Sequence, residues 1–343
     1  MSLPGRHDDM PAPAPRISVV MPVYNAEALL PECLEALRAS TGVDFEIVVV
    51  DDSSTDRSLA IAENFGCKVL PSGGRLGPAG ARNLGAEAAR GDIVFFVDSD
   101  VMVRPDTLAR LLEAFADPGL DGVIAVQAPA MRFRNIASLY KNLWMYYTYA
   151  RRAGEDVPLF YTTAAAIRRQ AFLDSGGFDR NYTNPNVEDT DYGQKLARLG
   201  YRIRVLPDLE VEHVKGYDLR GLLRTDYLRS VSLARLKLRK RRDALAGNDT
   251  SVPNGYIVSV PLAALAVLAL LAGLALGNLY LIGAFWVAIG AVLVLNTRFL
   301  GLLRRHGGLT AWAQGCGILV IELLAAGAGS FVGVATYLAG RKY

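Results

Sequence analysis

The segment from Ser251 to Thr297 contains no charged residue, and it sets the strongest limit on how this chain folds. Gly277-Asn278 divides it into two apolar runs of about 20 residues, each long enough to cross the hydrocarbon core of a bilayer. We therefore expect a helical hairpin in the membrane. A third apolar run, Leu309 to Gly340, is also long enough to span once, so the sequence predicts about three transmembrane helices in residues 251–343.

Basic residues flank this apolar region. The stretch from Lys215 to Arg242 holds ten Lys and Arg residues against two acidic ones, and its leucines recur at helical spacing. The pattern predicts a basic amphipathic helix in residues 215–250 that lies on an anionic bilayer surface, with a solvated helix docked on the preceding domain as the alternative. Arg298 to Arg305 form a second basic stretch. By the positive-inside rule both stretches are cytoplasmic, which predicts a multi-pass protein of the cell (inner) membrane whose preceding domain is cytoplasmic.

The sequence does not explain two charged features of the apolar region, Arg341-Lys342 and Glu322. With three spans, Arg341-Lys342 would fall on the outer side, against the positive-inside rule. Glu322 is the one charged residue of the third apolar run, and an intramembrane carboxylate is a functional hypothesis by default. It could pair with a basic residue between helices or face an oligomer partner, and the sequence does not fix the oligomeric state.

Composition excludes several other classes of protein. The net charge of +3 is too small to indicate a nucleic-acid partner. The cysteines Cys33, Cys67 and Cys316 are odd in number and lack metal-ligand spacing, which favours a reducing compartment with buried, neutral thiols. Residues 1–15 are rich in proline and have no apolar h-region, so we expect a disordered N-terminus and no signal peptide.

Apolar strands and amphipathic helices alternate in residues 16–214. This alternation predicts an α/β domain with a largely parallel sheet and right-handed crossovers. The predicted strands are 17–21, 45–50, 68–70, 93–97, 123–127, 162–167, 202–206 and 210–213. The predicted helices are 26–37, 58–65, 81–89, 105–115, 136–151 and 187–199, with a glycine-rich loop at 71–80 and a helix end and turn at 172–178.

The predicted strand from Ile93 to Val97 runs directly into Asp98-Ser99-Asp100. Alternation places Asp98 and Asp100 on the same side of an extended backbone. The carboxyl ends of strands are where an open α/β sheet binds its ligands, and paired carboxylates there suit a divalent cation that in turn suits a diphosphate. A solvated loop is the alternative for these three residues alone.

Several motifs in fixed order resemble those of family 2 glycosyltransferases, which are inverting enzymes of the Rossmann-like GT-A fold. The resemblance covers about residues 16–213, and the apolar C-terminal region is similar to that of membrane-attached members. The motifs are Ser18 to Asn25, Val49 to Asp56, Gly77 to Asn83, Asp98 to Asp100, Gly177 to Asp179, and Glu188-Asp189.

The resemblance implies a hexosyltransferase-type enzyme of cell-envelope glycan synthesis. It would move a sugar from a nucleoside-diphosphate sugar to a lipid-linked, glycan or polyprenyl phosphate acceptor, with Mg²⁺ or Mn²⁺ as cofactor. A processive polysaccharide synthase is one alternative, although 226–230 does not match the Gln-x-x-Arg-Trp motif of such enzymes. A non-catalytic nucleotide-binding membrane protein is another, against which the complete set of expected carboxylates argues. A dinucleotide-binding enzyme is disfavoured because no Gly-x-Gly-x-x-Gly follows the first strand.

The resemblance also implies which residues hold the donor. Tyr24 would stack on the nucleobase, either Asp51 or Asp52 would accept hydrogen bonds from the base or ribose, and Arg82 would hold the diphosphate. Helix capping is the alternative for the Asp pair, with Asp56 the better candidate for that role, and a surface salt bridge is the alternative for Arg82. The full predicted donor site is Pro22, Val23, Tyr24, Asn25, Glu27, Asp51, Asp52, Arg82, Asp98, Ser99 and Glu188.

The resemblance assigns the metal to Asp98, Asp100 and His213. Asp100 would be the firmer ligand, Asp98 would be shared between ribose and metal, and an imidazole ligand would favour Mn²⁺. A structural histidine is the alternative for His213. Asp189 matches the family's general base, and its place at a helix N-terminus is expected to lower its pKa. A helix cap is the alternative for Asp189, and Asp191 is a second candidate base. A polyprenyl phosphate acceptor is already anionic, so it would depend less on this base.

Overall fold

The computed structural model describes residues 15–241, 245 and 249–343. Almost all of the predicted disordered N-terminus, residues 1–15, therefore lies outside the described residues. The same holds for residues 242–244 and 246–248 at the end of the predicted basic helix.

The described chain contains one mixed, mostly parallel sheet with the strand order β3-β2-β1-β4-β7-β6-β8-β5. The strands are β1 (Ile17–Val23), β2 (Phe45–Asp51), β3 (Lys68–Pro71), β4 (Ile93–Val97), β5 (Val101–Met102), β6 (Gly122–Gln127), β7 (Ala164–Arg168) and β8 (Ile203–His213). The neighbours β3-β2, β2-β1, β1-β4 and β6-β8 pair in parallel. Strand β7 is antiparallel to β4 and β6, and β5 is antiparallel to β8. The predicted α/β fold class is thus confirmed.

Helices cover both faces of the sheet. They are α1 (Leu30–Arg38), α2 (Ser58–Asn64), α3 (Gly77–Ala88), α4 (Thr107–Ala114), α5 (Ile136–Ala150), α6 (Arg169–Asp174), α7 (Glu188–Arg198) and α8 (Leu219–Arg239). Alternate strand residues enter two separate apolar cores, with Val20 and Phe96 in one and Val19 and Phe95 in the other. Burial on both faces explains why these strands read as continuous apolar runs rather than as alternating ones.

Helix α3 begins at Gly77, inside the predicted glycine-rich loop and four positions before the predicted helix at 81. The Asp52 carboxylate accepts hydrogen bonds from the backbone N–H groups of Leu76 (2.7 Å) and Gly77 (2.9 Å), and Pro78 is tolerated in the first turn of a helix. The loop prediction was wrong here because this helix start is satisfied by a residue distant in the sequence.

Two predicted strands, 202–206 and 210–213, are one continuous strand, β8. Its pairing with β6 shifts register, so that Ala125 lies opposite Leu206 and Val126 lies opposite Glu210. The irregularity accommodates Pro207, which cannot donate a ladder hydrogen bond. Proline therefore interrupts the pattern in the sequence without ending the strand.

Three apolar helices follow the α/β domain: α9 (Asn254–Leu276), α10 (Leu279–Leu295) and α11 (Thr297–Leu338). Gly277 adopts the left-handed φ of 63° that a tight turn between α9 and α10 requires, and the side chain of Asn278 accepts from the first N–H groups of α10. Within the described residues two helices, α9 and α11, are long and apolar enough to cross a membrane, whereas α10 has 17 residues. The apolar side chains of the hairpin face outward, as Leu268 and Trp286 do.

Helix α11, which is kinked at Gly308 (φ 73°), contacts the α/β domain near both of its ends. Gly307 near its start lies against Leu139, and beyond its end the hydroxyl of Tyr343 donates to Asp179 over 2.8 Å. Gly329 and Gly333 let it approach the backbone of α8, whose Leu222, Val231 and Leu236 are buried. The apolar side of α8 is therefore covered by protein, as in the docked-helix alternative.

Glu322 faces the α/β domain from the middle of α11. Its carboxylate accepts a hydrogen bond from the Tyr140 hydroxyl of α5, beside the buried ion pair of Lys141 with Asp226. Within the described residues the hydrogen-bond partner of this carboxylate is thus a tyrosine, with the charge of Lys141 close by.

The close approach of α11 to α8 makes a prediction for two glycines. A Cβ at Gly329 would lie 2.4 Å from the carbonyl oxygen of Tyr227, whereas a Cβ at Gly317 has no neighbour within 4 Å among the described residues. We expect Gly329→Ala to lower the free energy of unfolding by about 1–3 kcal/mol, since backbone must move. Gly317→Ala should be neutral or stabilise by up to about 1 kcal/mol through helix propensity. Denaturant unfolding of the detergent-solubilised protein measures both, and equal shifts would contradict the docking of α11.

Candidate active site

A cavity of about 520 Å³ opens where β1, β2 and β4 end. The structure brings most of the predicted site residues to its wall, while helices α5 and α8 form the opposite side. The predicted residues that line it are Pro22, Val23, Tyr24, Asp52, Arg82, Asp98, Ser99, Asp100, Glu188, Asp189 and His213.

Three predicted donor residues lie behind the wall rather than in it. Asn25 accepts from the N–H of Thr55 (2.8 Å), and Glu27 pairs with Arg57 at 3.2 Å. Asp51 is buried and accepts long hydrogen bonds from the N–H of Ser54. These residues fix the loop between β2 and α2, so they support the Tyr24 side of the cavity without lining it.

The Tyr24 side of the cavity contains an arginine that the sequence analysis did not assign to the site. Arg75 places its guanidinium 3.2 Å from the centre of the Tyr24 ring and 3.2 Å from the Asp52 carboxylate. The Asp52 carboxylate thus accepts hydrogen bonds from the start of α3 and pairs with Arg75. This supports the helix-capping alternative for Asp52. Asp56 caps the turn before α2, accepting from Ser58 and from the N–H of Glu27.

Arg82 is a buried bridge and not a surface residue. Its guanidinium donates to Asp98 over 2.7 Å and to Glu188 over 3.1 Å, and only 4% of the residue is exposed. One side chain on α3 thereby joins the end of β4 to the start of α7. The surface salt bridge alternative was wrong, because α7 covers this position.

Asp100 and His213 approach each other although they are distant in the sequence. The Asp100 Oδ2 to His213 Nε2 distance is 3.3 Å, because Val101 pairs with His213 across β5 and β8. Burial opposes ionisation of Asp100, but the hydrogen bond and charge of His213 hold its pKa below the ordinary value. Burial raises the pKa of Asp98, against the opposing charge of Arg82.

The side chains of Asp100 and His213 offer ligand atoms that suit a divalent cation. A carboxylate and an imidazole at this separation, beside the second carboxylate of Asp98, are ligands that Mn²⁺ or Mg²⁺ accepts. Asp98 itself is turned towards Arg82, and the described residues contain no group of three or more His, Cys, Asp or Glu placed to hold a metal ion. The three-ligand site stays a prediction, with two of its members already paired.

Asp189 lines the cavity from the first turn of α7. Burial raises its pKa to about 6, against the opposing charge of Arg229 on α8. The prediction of a lowered pKa was wrong, because burial outweighs the backbone donors at the helix start. Asp191 points elsewhere and pairs with Arg239 (2.6 Å) and Lys240 (3.3 Å), so geometry removes it as an alternative base.

The lining of the cavity also contains residues that the sequence analysis did not assign to the site. They are Arg75, Pro78, Ala81, Lys141, Met145, Tyr161, Thr162, Thr163, Pro185, Asn186, Lys215, Tyr217, Thr225, Leu228 and Arg229. Thr225, Leu228 and Arg229 share one helical face, and that spacing was the available signal. It was missed because the basic helix was assigned to the membrane surface.

The matches to known proteins agree with this geometry. Residues 18–176 match the model of glycosyl transferase family 2. A mannosyltransferase from Pyrobaculum calidifontis, solved with GDP-Man and Mn²⁺, superposes with a TM-score of 0.56 at 24% identity, over 91% of this chain and 87% of that chain. At this identity the likeness shows a shared fold.

Relatives with higher identity cover less of the chain. An uncharacterized protein of Mycobacterium tuberculosis is 33% identical over 48% of this chain and 57% of its own length. An undecaprenyl-phosphate 4-deoxy-4-formamido-L-arabinose transferase of Pseudomonas paraeruginosa is 43% identical over 34% of this chain and 37% of its own length. The chain thus spans roughly a third to just over half of the length of these curated relatives. Residues 18–176, just under half of the chain, are thus similar to glycosyl transferase family 2, and the domain that contains them has a fold of the GT-A type.

Proposed function

We propose that the protein transfers a sugar from a nucleoside-diphosphate sugar to a membrane-held acceptor, with inversion at the transferred carbon. One observation carries the proposal: a single cavity collects the paired carboxylates Asp98 and Asp100, the buried Arg82, and a half-buried Asp189 beside them. Its volume of about 520 Å³ is in the usual range for small-molecule sites. Two similar proteins, an undecaprenyl-phosphate 4-deoxy-4-formamido-L-arabinose transferase and a mannosyltransferase in complex with GDP-Man, support the two substrate classes.

The donor would lie along the strand ends. The Tyr24 ring offers a stacking surface for the base, and the Arg75 guanidinium that now covers it would move to the outer side or towards the diphosphate. Arg82 is fixed by two carboxylates, so it contributes a positive charge at a defined position under the diphosphate.

A divalent cation, Mg²⁺ or Mn²⁺, would be held by Asp100 and His213, with Asp98 as a further ligand. When bound, it supplies a Lewis acid that offsets negative charge on the departing nucleoside diphosphate. The residues around the cation would position the diphosphate. Among them, Arg82 orients the Asp98 carboxylate through its hydrogen bond.

Asp189 would act on the acceptor. Its carboxylate takes the proton from an acceptor hydroxyl while the acceptor oxygen bonds to the anomeric carbon. The bond from that carbon to the diphosphate oxygen breaks on the opposite face, and the electron pair leaves with the nucleoside diphosphate. A lipid phosphate acceptor carries no such proton, so for that substrate Asp189 and Arg229 would orient the attacking oxygen.

The membrane arrangement follows from the packing of α11. We propose that the hairpin α9–α10 enters the bilayer and that α11 lies along the α/β domain at the membrane surface, since α11 contacts that domain at both ends. This keeps Arg341-Lys342 on the same side as the other basic stretches, in the cytoplasm, and so satisfies the positive-inside rule. The comparison of Gly329→Ala with Gly317→Ala tests the packing on which this arrangement depends.

Membranes that carry the wild type or Asp189→Asn test the transfer step. After incubation with labelled nucleotide sugars and Mn²⁺, we expect the wild type to move label from one preferred donor into solvent-extractable lipid. Asp189→Asn should lower the rate to a hydroxyl acceptor by about 10²–10⁴-fold, the usual contribution of a general base. Asp191→Asn is the matched control, and it should retain most activity per folded molecule because Asp191 faces Arg239. Absence of lipid label with every donor would overturn the proposed acceptor class.

The raised pKa of Asp189 predicts a pH dependence. Asp189 faces Arg229 from α8, Arg82 from α3, Tyr149 from α5 and its neighbour Glu188. With a pKa of about 6, the carboxylate is ionised above that pH and protonated below it, so hydroxyl transfer should be lost as the pH falls through 6. A rate profile with saturating donor measures this limb. A flat profile between pH 5 and pH 7, on the order of one unit either side of the pKa, would contradict the assignment as base.

Removing a metal ligand is the third test. Asp100→Asn should weaken Mn²⁺ binding, read from the Mn²⁺ electron paramagnetic resonance signal, by at least about tenfold, because a carboxylate is replaced by a neutral amide. The matched control is Asp208→Asn on the exposed part of β8, which should bind Mn²⁺ as the wild type does. Unchanged Mn²⁺ binding and turnover in Asp100→Asn would overturn the metal assignment.

A further inference from the structure

A second cleft, of about 420 Å³, lies where the hairpin meets the α/β domain. The C-terminal end of α5 forms one wall with Tyr146, Tyr147 and Arg151, and the start of α11 forms the other with Arg298 and Arg305. Among the described residues it shares no lining residue with the candidate active site. The function proposed above makes no use of it.

Helical spacing places the lining side chains of each helix on one face, and the two faces meet in the cleft. Arg298 and Arg305 are seven residues apart, two turns along α11, and therefore lie on the same face of that helix. Tyr147 and Arg151 are four residues apart on α5 and face them. The Tyr147 ring packs against Phe299 with centroids 5.8 Å apart, which holds the two walls together.

The lining of the cleft is cationic. Its lining includes three arginines and, among the described residues, no Asp or Glu. Arg298 and Arg305 make no hydrogen bond or ion pair with the residues that the structure describes, whereas arginines exposed on the α/β domain are commonly paired, such as Arg90 with Glu46 and Arg110 with Asp106. Burial and the neighbouring Arg152 lower the pKa of Arg151, against the opposing charge of Glu155, and its guanidinium donates to the backbone carbonyl of Ser251 over 2.9 Å.

The position of the cleft suits a headgroup. The cleft lies directly after Leu295, at the end of the hairpin. There the side chain of Asn296 donates to Ser259 over 2.9 Å, a hydrogen bond that connects the end of α10 to the first turns of α9. The apolar surface of α10 that leads away from it is exposed, including Val294 and Leu295. A ligand with a phosphate in the cleft could therefore lay acyl chains along α10. Tyrosines and arginines are the side chains that anchor proteins at this depth of a bilayer.

We propose that Arg151, Arg298 and Arg305 bind the phosphate of an anionic phospholipid, which seats the base of the hairpin at the cytoplasmic headgroup layer. The proposal rests on the membrane placement of the hairpin given under the proposed function. Free inorganic phosphate shares the headgroup's chemistry but cannot use the apolar surface of α10, so it should bind much more weakly than the lipid.

The test uses the full chain in a neutral detergent, without donor or acceptor. Phosphatidylglycerol, phosphatidylcholine or inorganic phosphate is titrated in, with bound lipid counted by native mass spectrometry and the unfolding midpoint followed in parallel. We expect one saturable phosphatidylglycerol to be retained and to raise the midpoint, with little effect of the other two. The double substitution Arg298→Gln with Arg305→Gln should weaken phosphatidylglycerol binding by on the order of tenfold or more, from the loss of two charges near the surface.

The matched control removes the same charge outside the cleft, through Arg304→Gln with Arg341→Gln, and it should bind phosphatidylglycerol as the wild type does. Equal loss in both double variants would show general attraction to basic residues and overturn the site. An equal response to inorganic phosphate would overturn the lipid as ligand. Glycosyl transfer is measured separately. A wild type that transfers sugar but retains no phosphatidylglycerol contradicts this inference alone, and a wild type that retains phosphatidylglycerol but transfers no sugar contradicts the proposed function alone.

Discussion

The buried contact of Arg82 with Asp98 and Glu188 is the interaction on which the site depends. Each of the three residues belongs to a different element, and each is poorly placed alone, because burial of a charge without a partner costs several kcal/mol. Together they connect the end of β4 to the start of α7 through α3. The positions of the candidate base and of the candidate metal ligands are thus set by the same cation. Breaking it by removing one partner would leave a buried charge and disturb both sides of the cavity.

Local patterns in the sequence were enough for the α/β domain. The strands are buried on both faces, so Ile93 to Val97 and its neighbours appear as short apolar runs, and polar residues at their carboxyl ends mark the cavity. Two element boundaries were predicted wrongly beside prolines, the start of α3 at Pro78 and the break in β8 at Pro207. A distant carboxylate, Asp52, satisfies a helix start beside Pro78, and a register shift absorbs Pro207 within a strand. Neither compensation is visible within a local window of sequence.

The opposite wall of the cavity could not be predicted in the same way. Arg229 and Lys141 belong to helices whose charge and aromatic content are equally typical of a membrane surface or a domain core. Only tertiary packing shows that one side of α8 faces α11 and another faces the cavity. The pKa of Asp189 failed as a prediction for a related reason, since the helix N-terminus is readable from sequence whereas burial by a distant helix is not.

The docking of α8 between the cavity and α11 has a consequence for the acidity of the site. Arg229 provides the main charge that opposes the effect of burial on Asp189, and its helix rests on Gly329 and Gly333 of α11. The proton affinity of the candidate base therefore depends on a helix that is itself seated on an apolar element next to the hairpin. A spectroscopic titration of Asp189 would in this way report how well the apolar helices are assembled, so the pKa of one carboxylate in the cavity measures the packing of the apolar C-terminal part of the molecule.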